Sequence, residues 1–151
     1  MTNSVPRVHI VGRKNSGKTT LVCQLVAKLS EQGYRVATVK HTHHQHELDT
    51  PGKDSHKHRS SGATAVGIVT PDLTAVFVPR DRSLHSDDRE MRYRTLDSAF
   101  SGCDVVLVEG DLHTTAPRVE VWRKEITEQP YATKEAGIAV VVSDDFPLQT
   151  A

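Results

Sequence analysis

Residues Gly12-Arg13-Lys14-Asn15-Ser16-Gly17-Lys18-Thr19 match the pattern G-x-x-x-x-G-K-[ST], which is typical of a loop that binds phosphate. The apolar run 8–11 before this loop predicts a short buried strand, and residues 18–32 after it predict an amphipathic helix. In that context, backbone N–H groups and the helix N-terminus point at phosphate oxygens. A glycine-containing turn that matches by chance is the alternative, and the flanking elements argue against it. The segment therefore predicts a nucleoside triphosphate site.

The loop also suggests roles for individual side chains. Lys18 is expected to reach the β- and γ-phosphates, which makes it the first candidate for a catalytic role. The Thr19 hydroxyl is expected to bind Mg²⁺. Contacts with the nucleotide are predicted for the loop and the residue that follows it: Gly12, Arg13, Lys14, Asn15, Ser16, Gly17, Lys18, Thr19 and Thr20.

The pattern beyond the loop predicts an α/β fold. A second apolar strand at 36–39 follows the first helix, and a strand–helix–strand crossover implies parallel strands. Two apolar runs at 65–69 and 74–78 are joined by Pro71-Asp72 and predict an antiparallel hairpin. Further strands are predicted at 105–108, at 119–122 as a half-exposed strand, and at 138–142.

Two further helices complete this outline. Residues 54–61 are expected to form a short helix, and Asp87 is expected to start a longer one that ends before Gly102. The predicted fold is P-loop NTPase-like, with a mostly parallel central sheet flanked by helices and an inserted antiparallel hairpin. We expect one nucleotide-binding domain over residues 1–151.

Composition narrows the function classes. The chain has 19 basic and 19 acidic residues, so its formal charge is zero and nothing global indicates binding to nucleic acid or to an anionic membrane. No stretch approaches the roughly 20 apolar residues of a membrane span, and the N-terminus lacks a signal-peptide pattern. The cysteines Cys23 and Cys103 are interpreted as buried free thiols. These observations favour a cytoplasmic protein.

Glu109 is the candidate for a second Mg²⁺ ligand. It ends the apolar run 105–108, and nucleotide sites of open α/β sheets lie at the carboxyl ends of strands. A carboxylate at that edge can hold the ion directly or through water. A solvated glutamate at a strand end is the alternative.

A histidine-rich segment follows the second strand. Its imidazoles could ligate a transition metal, or its donors could serve phosphate or a protein partner: His41, His43, His44 and His46. No Cys-x-x-Cys pair accompanies them. Lys53, Asp54 and Arg59 come next and invite roles toward γ-phosphate, metal or water, although a charged run is usually a solvated helix face.

Three segments together resemble the molybdopterin-guanine dinucleotide biosynthesis protein B family, MobB. They are the phosphate loop, the Lys-His-x-His-His run at 40–44 with Pro-Gly-Lys-Asp-Ser-x-x-His-Arg at 51–59 and Gly-Ala at 62–63, and Leu-Val-Glu-Gly at 107–110. Pro-Arg-Val-Glu-Val-Trp-Arg at 117–123 is similar to a further family strand. The likeness covers about residues 7 to 144.

The resemblance implies a homodimer that binds GTP with Mg²⁺ and hydrolyses it weakly. It also implies a partner, the molybdenum cofactor guanylyltransferase, and other proteins of the molybdopterin pathway, because the family assists attachment of GMP to molybdopterin. By position, Lys18 and Thr19 match the phosphate and Mg²⁺ residues, and Glu109 matches the acidic metal residue. Asp54 matches an aspartate of the middle motif, which makes it the second catalytic candidate.

One departure and one hypothesis accompany the resemblance. The family usually has an aromatic residue and a lysine after Glu109-Gly110, whereas Asp111-Leu112-His113 follows here, which puts a phosphate contact from that loop in doubt. Arg13 or Lys14 is hypothesised to stabilise phosphate charge across a dimer interface. An exposed basic side chain is the alternative.

Two other functions share these features. A metal-delivery GTPase would carry nickel or zinc on the histidine-rich segment. A small-molecule kinase would share the loop and the acidic strand end. It ordinarily needs an arginine-bearing lid over the phosphates, and the basic cluster Arg80, Arg82 and Arg89 could be mistaken for one. No Asn-Lys-x-Asp motif occurs, so a preference for guanine depends on the family likeness alone.

Overall fold

The computed structural model describes residues 5–79 and 90–145, which fold into two compact units. The described part of the first unit comprises residues 5–42 and 90–145, and that of the second comprises residues 43–79. A single nucleotide-binding domain over the whole chain stays a prediction.

The helices and strands follow one another in a mixed order. In chain order they are β1 (Arg7–Val11), α1 (Lys18–Glu31), β2 (Val36–Lys40), α2 (Asp54–Ser60), β3 (Val66–Val69), β4 (Thr74–Phe77), α3 (Met91–Arg94), α4 (Asp97–Phe100), β5 (Val105–Glu109), β6 (Arg118–Val121), a 3₁₀ turn (Tyr131–Thr133) and β7 (Ile138–Val142).

The first unit is built on a five-stranded parallel sheet with the order β2-β5-β1-β6-β7. The β1–β5 pairing aligns Ile10 with Glu109, and the β2–β5 pairing aligns Lys40 with the same Glu109. Because all strands run in one direction, their carboxyl ends share one edge. The phosphate loop, Lys40 and Glu109 therefore lie at that edge, and the predicted fold class is confirmed.

Each face of the sheet carries its own core. Ile10, Val22 and Val121 form a buried cluster under α1, to which the apolar stripe of that helix contributes. On the opposite face, Tyr93 packs with Val106 and other buried residues beneath α3 and α4. The helix predicted over this region is two short helices, since the N–H of Leu96 bonds the carbonyl of Tyr93 three residues back and tightens the turn. Asp87 and the other residues of 80–89 lie outside the described part.

Two expectations about burial are wrong. The strand predicted as half-exposed is β6, which lies between β1 and β7 in the sheet, and its Glu120 is only 1% exposed. That carboxylate accepts hydrogen bonds from the backbone N–H groups of Tyr131 and Ala132 at 2.7 and 2.9 Å. The polar residue in this strand therefore faces buried hydrogen-bond donors and not solvent. Cys23 is exposed because it lies off the apolar stripe of α1.

The second unit contains α2 and the predicted hairpin. β3 and β4 pair antiparallel, with Val66 opposite Phe77 and Val69 opposite Thr74. Several large apolar side chains of this unit are exposed: Leu48, Val69, Leu73, Val76 and Val78. Across residues 5–79 and 90–145, none of the helices has the length and apolar character needed to cross a membrane.

Replacing Ile10 tests the core under α1. Ile10 is fully buried, so Ile10→Ala removes packing on both β1 and α1 and should lower the free energy of unfolding by about 2–5 kcal/mol. Val140→Ala, at a half-exposed position of β7, is the control and should cost no more than roughly 0.5 kcal/mol. Urea unfolding of both variants measures the difference, and equal losses would contradict this description of the core.

Candidate nucleotide-binding site

The loop between β1 and α1 needs glycine at its first position. Gly12 has φ +145°, and a Cβ there would come within 2.4 Å of the carbonyl oxygen of Val121. Gly17, at φ +102°, lies directly before the first residue of α1. Backbone conformations of this kind favour glycine, and they let the loop fold tightly around the start of the helix. The loop thus has the shape that its sequence predicts.

Lys18 spans this loop. Its ammonium donates to the carbonyl oxygens of Gly12 at 2.9 Å and Arg13 at 2.6 Å. Burial lowers the pKa of Lys18 below its ordinary value; the charge of Lys40 acts in the same direction and that of Glu109 opposes it. Because the amine is partly desolvated beside another cation, an anion bound in the loop would stabilise its charged form.

Thr19 and Glu109 meet although they lie far apart in sequence. The Thr19 hydroxyl donates to Oε1 of Glu109 at 2.8 Å, and Nζ of Lys40 lies 3.6 Å from the same oxygen. Hydroxyl and carboxylate oxygens are the ligand types that Mg²⁺ prefers. The pair therefore fits a divalent cation, with Thr19 from the helix and Glu109 from the strand.

Ser16 is a second sign that the loop fits a ligand. Its residue is 1% exposed, and Oγ has no hydrogen-bond partner within the described residues. A buried hydroxyl without a hydrogen-bond partner raises the free energy of the folded state, so a ligand or a water molecule usually satisfies such a group. A cavity of about 470 Å³ opens over the loop and is lined by Lys14, Asn15, Gly17, Lys18, Thr19, Thr20, Lys40 and Glu109.

Arg123 contacts the phosphate loop, although the sequence alone indicated no role for it. Its Nε donates to the carbonyl oxygen of Ser16 at 3.1 Å, and its Nη2 lies 3.4 Å from Oδ2 of Asp144. It follows β6 at the carboxyl edge of the sheet, and that position is the signal that could have identified it. Arg13, in contrast, stacks over the ring of Tyr131 at 4.6 Å, within the range of a cation–π contact.

Several of the remaining candidates belong to the second unit. Asp54 begins α2 and pairs with Lys57 at 3.6 Å, and Arg59 pairs with Glu47. A functional role of Asp54 stays a prediction. His44 and His46 have ring centroids 5.6 Å apart, and the described residues contain no group of three or more His, Cys, Asp or Glu placed to hold a metal ion. Arg80, Arg82 and Arg89 lie outside the described residues.

A buried polar cluster lies beside the site, on the face of the sheet opposite α1. The Tyr93 hydroxyl donates to Asp111 at 2.6 Å and lies 3.2 Å from Nδ1 of His41. His9, fully buried on β1, has Nδ1 3.1 Å from the carbonyl oxygen of Gly110 and an edge-on contact with the Tyr93 ring. Asp111 is thus held by Tyr93, which explains what this departure from the family pattern does here.

Burial and contacts within this cluster shift the pKa values of three of its groups. Burial lowers the pKa of His9 below 6.5, with the charge of Arg7 acting in the same direction. Burial would raise the pKa of Asp111, but the hydrogen bond from Tyr93 and the neighbouring His41 outweigh it and lower that pKa. The pKa of Tyr93 is raised, first by burial and then by its bond to Asp111. The cluster therefore favours a neutral His9 and an ionised Asp111.

The parallel sheet, the glycine-rich loop and the converging Lys18, Thr19 and Glu109 define a P-loop NTPase-like protein. The family MobB, described as molybdopterin guanine dinucleotide synthesis protein B, matches residues 7–144. This chain belongs to the MobB family, as the sequence resemblance predicted.

Individual relatives agree with this assignment. A protein of Haemophilus influenzae named molybdopterin-guanine dinucleotide biosynthesis adapter protein is 31% identical over 99% of this chain and 80% of its own length. An Escherichia coli protein of the same name is 29% identical over 95% of this chain and 81% of its own. The crystal structure of a MobB homolog from Bacillus stearothermophilus has a TM-score of 0.62, with 30% identity, covering 96% of this chain and 81% of that one.

The pKa of His9 predicts how stability depends on pH. Folded His9 resists protonation, whereas unfolded His9 takes up a proton near pH 6.5, so acidification favours the unfolded state. Between about pH 7.5 and 5.5, the wild type should lose more free energy of unfolding than His9→Gln, by up to about 1.4 kcal/mol for each pH unit below 6.5. Urea unfolding across this range measures the difference.

The exposed His46 supplies the control for this comparison. His46→Gln removes an imidazole at an exposed position outside the buried cluster, and it should keep the pH dependence of the wild type. If His9→Gln and the wild type lose stability in parallel, the buried imidazole does not carry the effect.

Proposed function

We propose that this protein binds GTP with Mg²⁺ at the loop of residues 12–19 and acts as an adapter in the synthesis of molybdopterin guanine dinucleotide. The convergence of Thr19 and Glu109 within 2.8 Å at the mouth of the loop is the observation that supports nucleotide binding most directly. The adapter role is supported by the names of the Haemophilus influenzae and Escherichia coli relatives. We also infer that the protein works in the cytoplasm.

The loop side chains divide the work of binding. Lys18 would exchange its hydrogen bonds to the carbonyls of Gly12 and Arg13 for bonds to β- and γ-phosphate oxygens. The phosphate oxygens are charged, so they stabilise a partly desolvated ammonium more strongly than neutral carbonyls do. The backbone N–H groups of the loop and the first turn of α1 would surround the phosphates. Thr19 and Glu109 would hold Mg²⁺, which neutralises phosphate charge when bound.

Binding of other protein chains is the second part of the proposal. The hairpin β3–β4 exposes Val69 and Val76, and Val78 directly after it is also exposed. A two-stranded hairpin is only marginally stable without further packing. Exposed apolar side chains next to open strand edges are suited to protein contacts. We propose that the protein forms a homodimer and that it contacts the molybdenum cofactor guanylyltransferase and other proteins of the molybdopterin pathway.

Slow hydrolysis is consistent with the site. Within the described residues of the first unit, Arg123 bonds Ser16 and pairs with Asp144, and Arg13 stacks on Tyr131. Neither arrangement is that of a cis arginine aimed at a γ-phosphate. A nucleotide-controlled adapter needs binding more than turnover, so we propose that GTP mainly selects a conformation.

Mg²⁺-dependent binding tests the first part of the proposal. Wild-type protein should bind GTP more tightly with Mg²⁺ than with chelator, and Thr19→Val and Glu109→Gln should remove that gain because each removes or neutralises a proposed ligand. Lys18→Ala should weaken binding roughly 10- to 100-fold under either condition, since it removes a charge-assisted bond. Titration calorimetry measures these affinities.

Lys28→Ala, on the exposed side of α1 where it pairs with Glu31, is the control and should bind as the wild type does. The proposal would be abandoned if Lys18→Ala bound GTP as tightly as Lys28→Ala.

Hydrolysis tests the hypothesis that Arg13 acts on the partner subunit. The wild type alone should turn over GTP on the order of 10⁻³ s⁻¹, as GTPases without an arginine finger do. If Arg13 acts across a dimer, the rate per subunit should rise with protein concentration, and Arg13→Ala should abolish the rise. Arg35→Ala, whose side chain pairs with Asp104 at the start of β5, is the matched control. An unchanged rate in Arg13→Ala at every concentration excludes the hypothesis.

A further inference from the structure

We propose that the groove between α1 and the ends of β6 and β7 holds the nucleobase, and that the carboxylate of Asp144 recognises the edge of guanine. This inference rests on the proposed nucleotide site and identifies the residue that would give it base specificity. The first unit has a second cavity beside the phosphate loop, and none of the roles proposed above involves it.

The second cavity adjoins the cavity over the phosphate loop, and the two share lining residues. It has a volume of about 230 Å³, and it shares Gly17 and Thr20 with the 470 Å³ cavity over the phosphate loop. Whole-ligand pockets are usually about 300 Å³ or larger, so the smaller cavity suits one part of a ligand whose other part lies in the larger one. A nucleotide, with its phosphates at one end and its base at the other, is such a ligand.

The walls of the groove suit a flat heterocycle. Leu21, Val121 and Val142 supply apolar surface, while Gln24, Arg123 and Asp144 supply polar groups. Ligand sites commonly combine an apolar lining with a few placed polar groups that determine orientation. The phosphate cavity, in contrast, is lined mainly by Lys14, Lys18, Lys40 and hydroxyl or carboxylate groups, which suit an anion with a metal ion.

Arg123 connects the two parts. It bonds the carbonyl oxygen of Ser16 through Nε and faces Asp144 through Nη2, while its Nη1 lies 3.7 Å from Glu125. One guanidinium thus separates the phosphate loop from the carboxylate. Because Arg123 also faces Glu125, it keeps an anionic partner when Asp144 turns to a ligand.

The neighbouring Asp145 has a different task. Its Oδ2 accepts the backbone N–H of Lys124 at 2.6 Å, and its own N–H donates to Ser143 Oγ at 3.0 Å. Asp145 therefore holds the turn after β7 against the chain after β6. Asp144 lines the groove, with a side chain that is 63% exposed. The two adjacent aspartates offer a comparison of a proposed base contact with a structural contact.

A carboxylate distinguishes the purines by hydrogen-bond direction. It only accepts hydrogen bonds, and the edge of guanine presents two adjacent donors, the ring N1–H and the exocyclic N2 amino group. Adenine presents an acceptor at N1, which a carboxylate repels. Sites that hydrogen-bond a substrate group reject analogues that lack it far more strongly than apolar pockets do. Asp144 would thus favour GTP over ATP without an Asn-Lys-x-Asp motif.

The test exchanges a carboxylate for an amide. Asp144→Asn should weaken binding of Mg²⁺–GTP roughly 10- to 100-fold, because the amide opposes one donor of guanine with another donor. The same variant should bind xanthosine triphosphate at least tenfold more tightly than the wild type, since the carbonyl that xanthine carries in place of the N2 amino group accepts from an amide. Asp145→Asn keeps an oxygen for the Lys124 N–H, and it should retain the preferences of the wild type.

The outcomes separate this inference from the proposed function. A gain of xanthosine triphosphate binding in Asp144→Asn alone supports the inference, and a damaged fold could not produce that gain. If the wild type binds Mg²⁺–GTP and Asp144→Asn has the same preference among GTP, ATP and xanthosine triphosphate, the inference is wrong and the proposed function stands. If the folded wild type binds none of the three, both are wrong.

Discussion

Parallel pairing of β1 with β5 is the constraint on which the site depends. That register places Glu109 opposite Ile10, so the carboxylate at the end of β5 lies beside the strand that leads into the phosphate loop. The first turn of α1 then brings the Thr19 hydroxyl to within 2.8 Å of Glu109. A shift of one residue would turn the Glu109 side chain to the other face of the sheet. The apolar core under α1 stabilises this register, because Ile10 packs there beside Val22 and Val121.

Buried charge on the opposite face of the sheet is balanced locally. Asp111 has its hydrogen-bond donor in Tyr93, and Glu120 has two backbone N–H groups from the 3₁₀ turn. A buried ionised group without such partners would be strongly unfavourable, so each carboxylate also holds a particular loop in place. The Glu120 contact fixes Tyr131, over which Arg13 of the phosphate loop stacks. The site therefore depends on residues that do not line its cavity.

Local patterns predicted much of the fold because they act over a few residues. Apolar periodicity and turn chemistry predicted the phosphate loop with its strand and helix, the parallel sheet, and the hairpin β3–β4. β6 was misjudged as half-exposed because the polar Glu120 suggested solvent, whereas its partners lie about a dozen residues further along the chain. Arg123 was missed for a similar reason. Its contacts with Ser16 and Asp144 join segments that have no shared motif.

The amino-acid sequence by itself determined the phosphate loop, the class of fold and the family. Each can be recognised from short segments, because the structural role of the residues in them depends mainly on their neighbours in sequence. Glycine at Gly12, for example, is required by a backbone conformation that other residues rarely adopt. The sequence also indicated that Thr19 and Glu109 lie at one site, and the structure gave their distance. Only the tertiary structure decided that Asp111 meets Tyr93 and that Asp144 meets Arg123. Those distances depend on strand register and on how loops close over the sheet, and no local pattern encodes either.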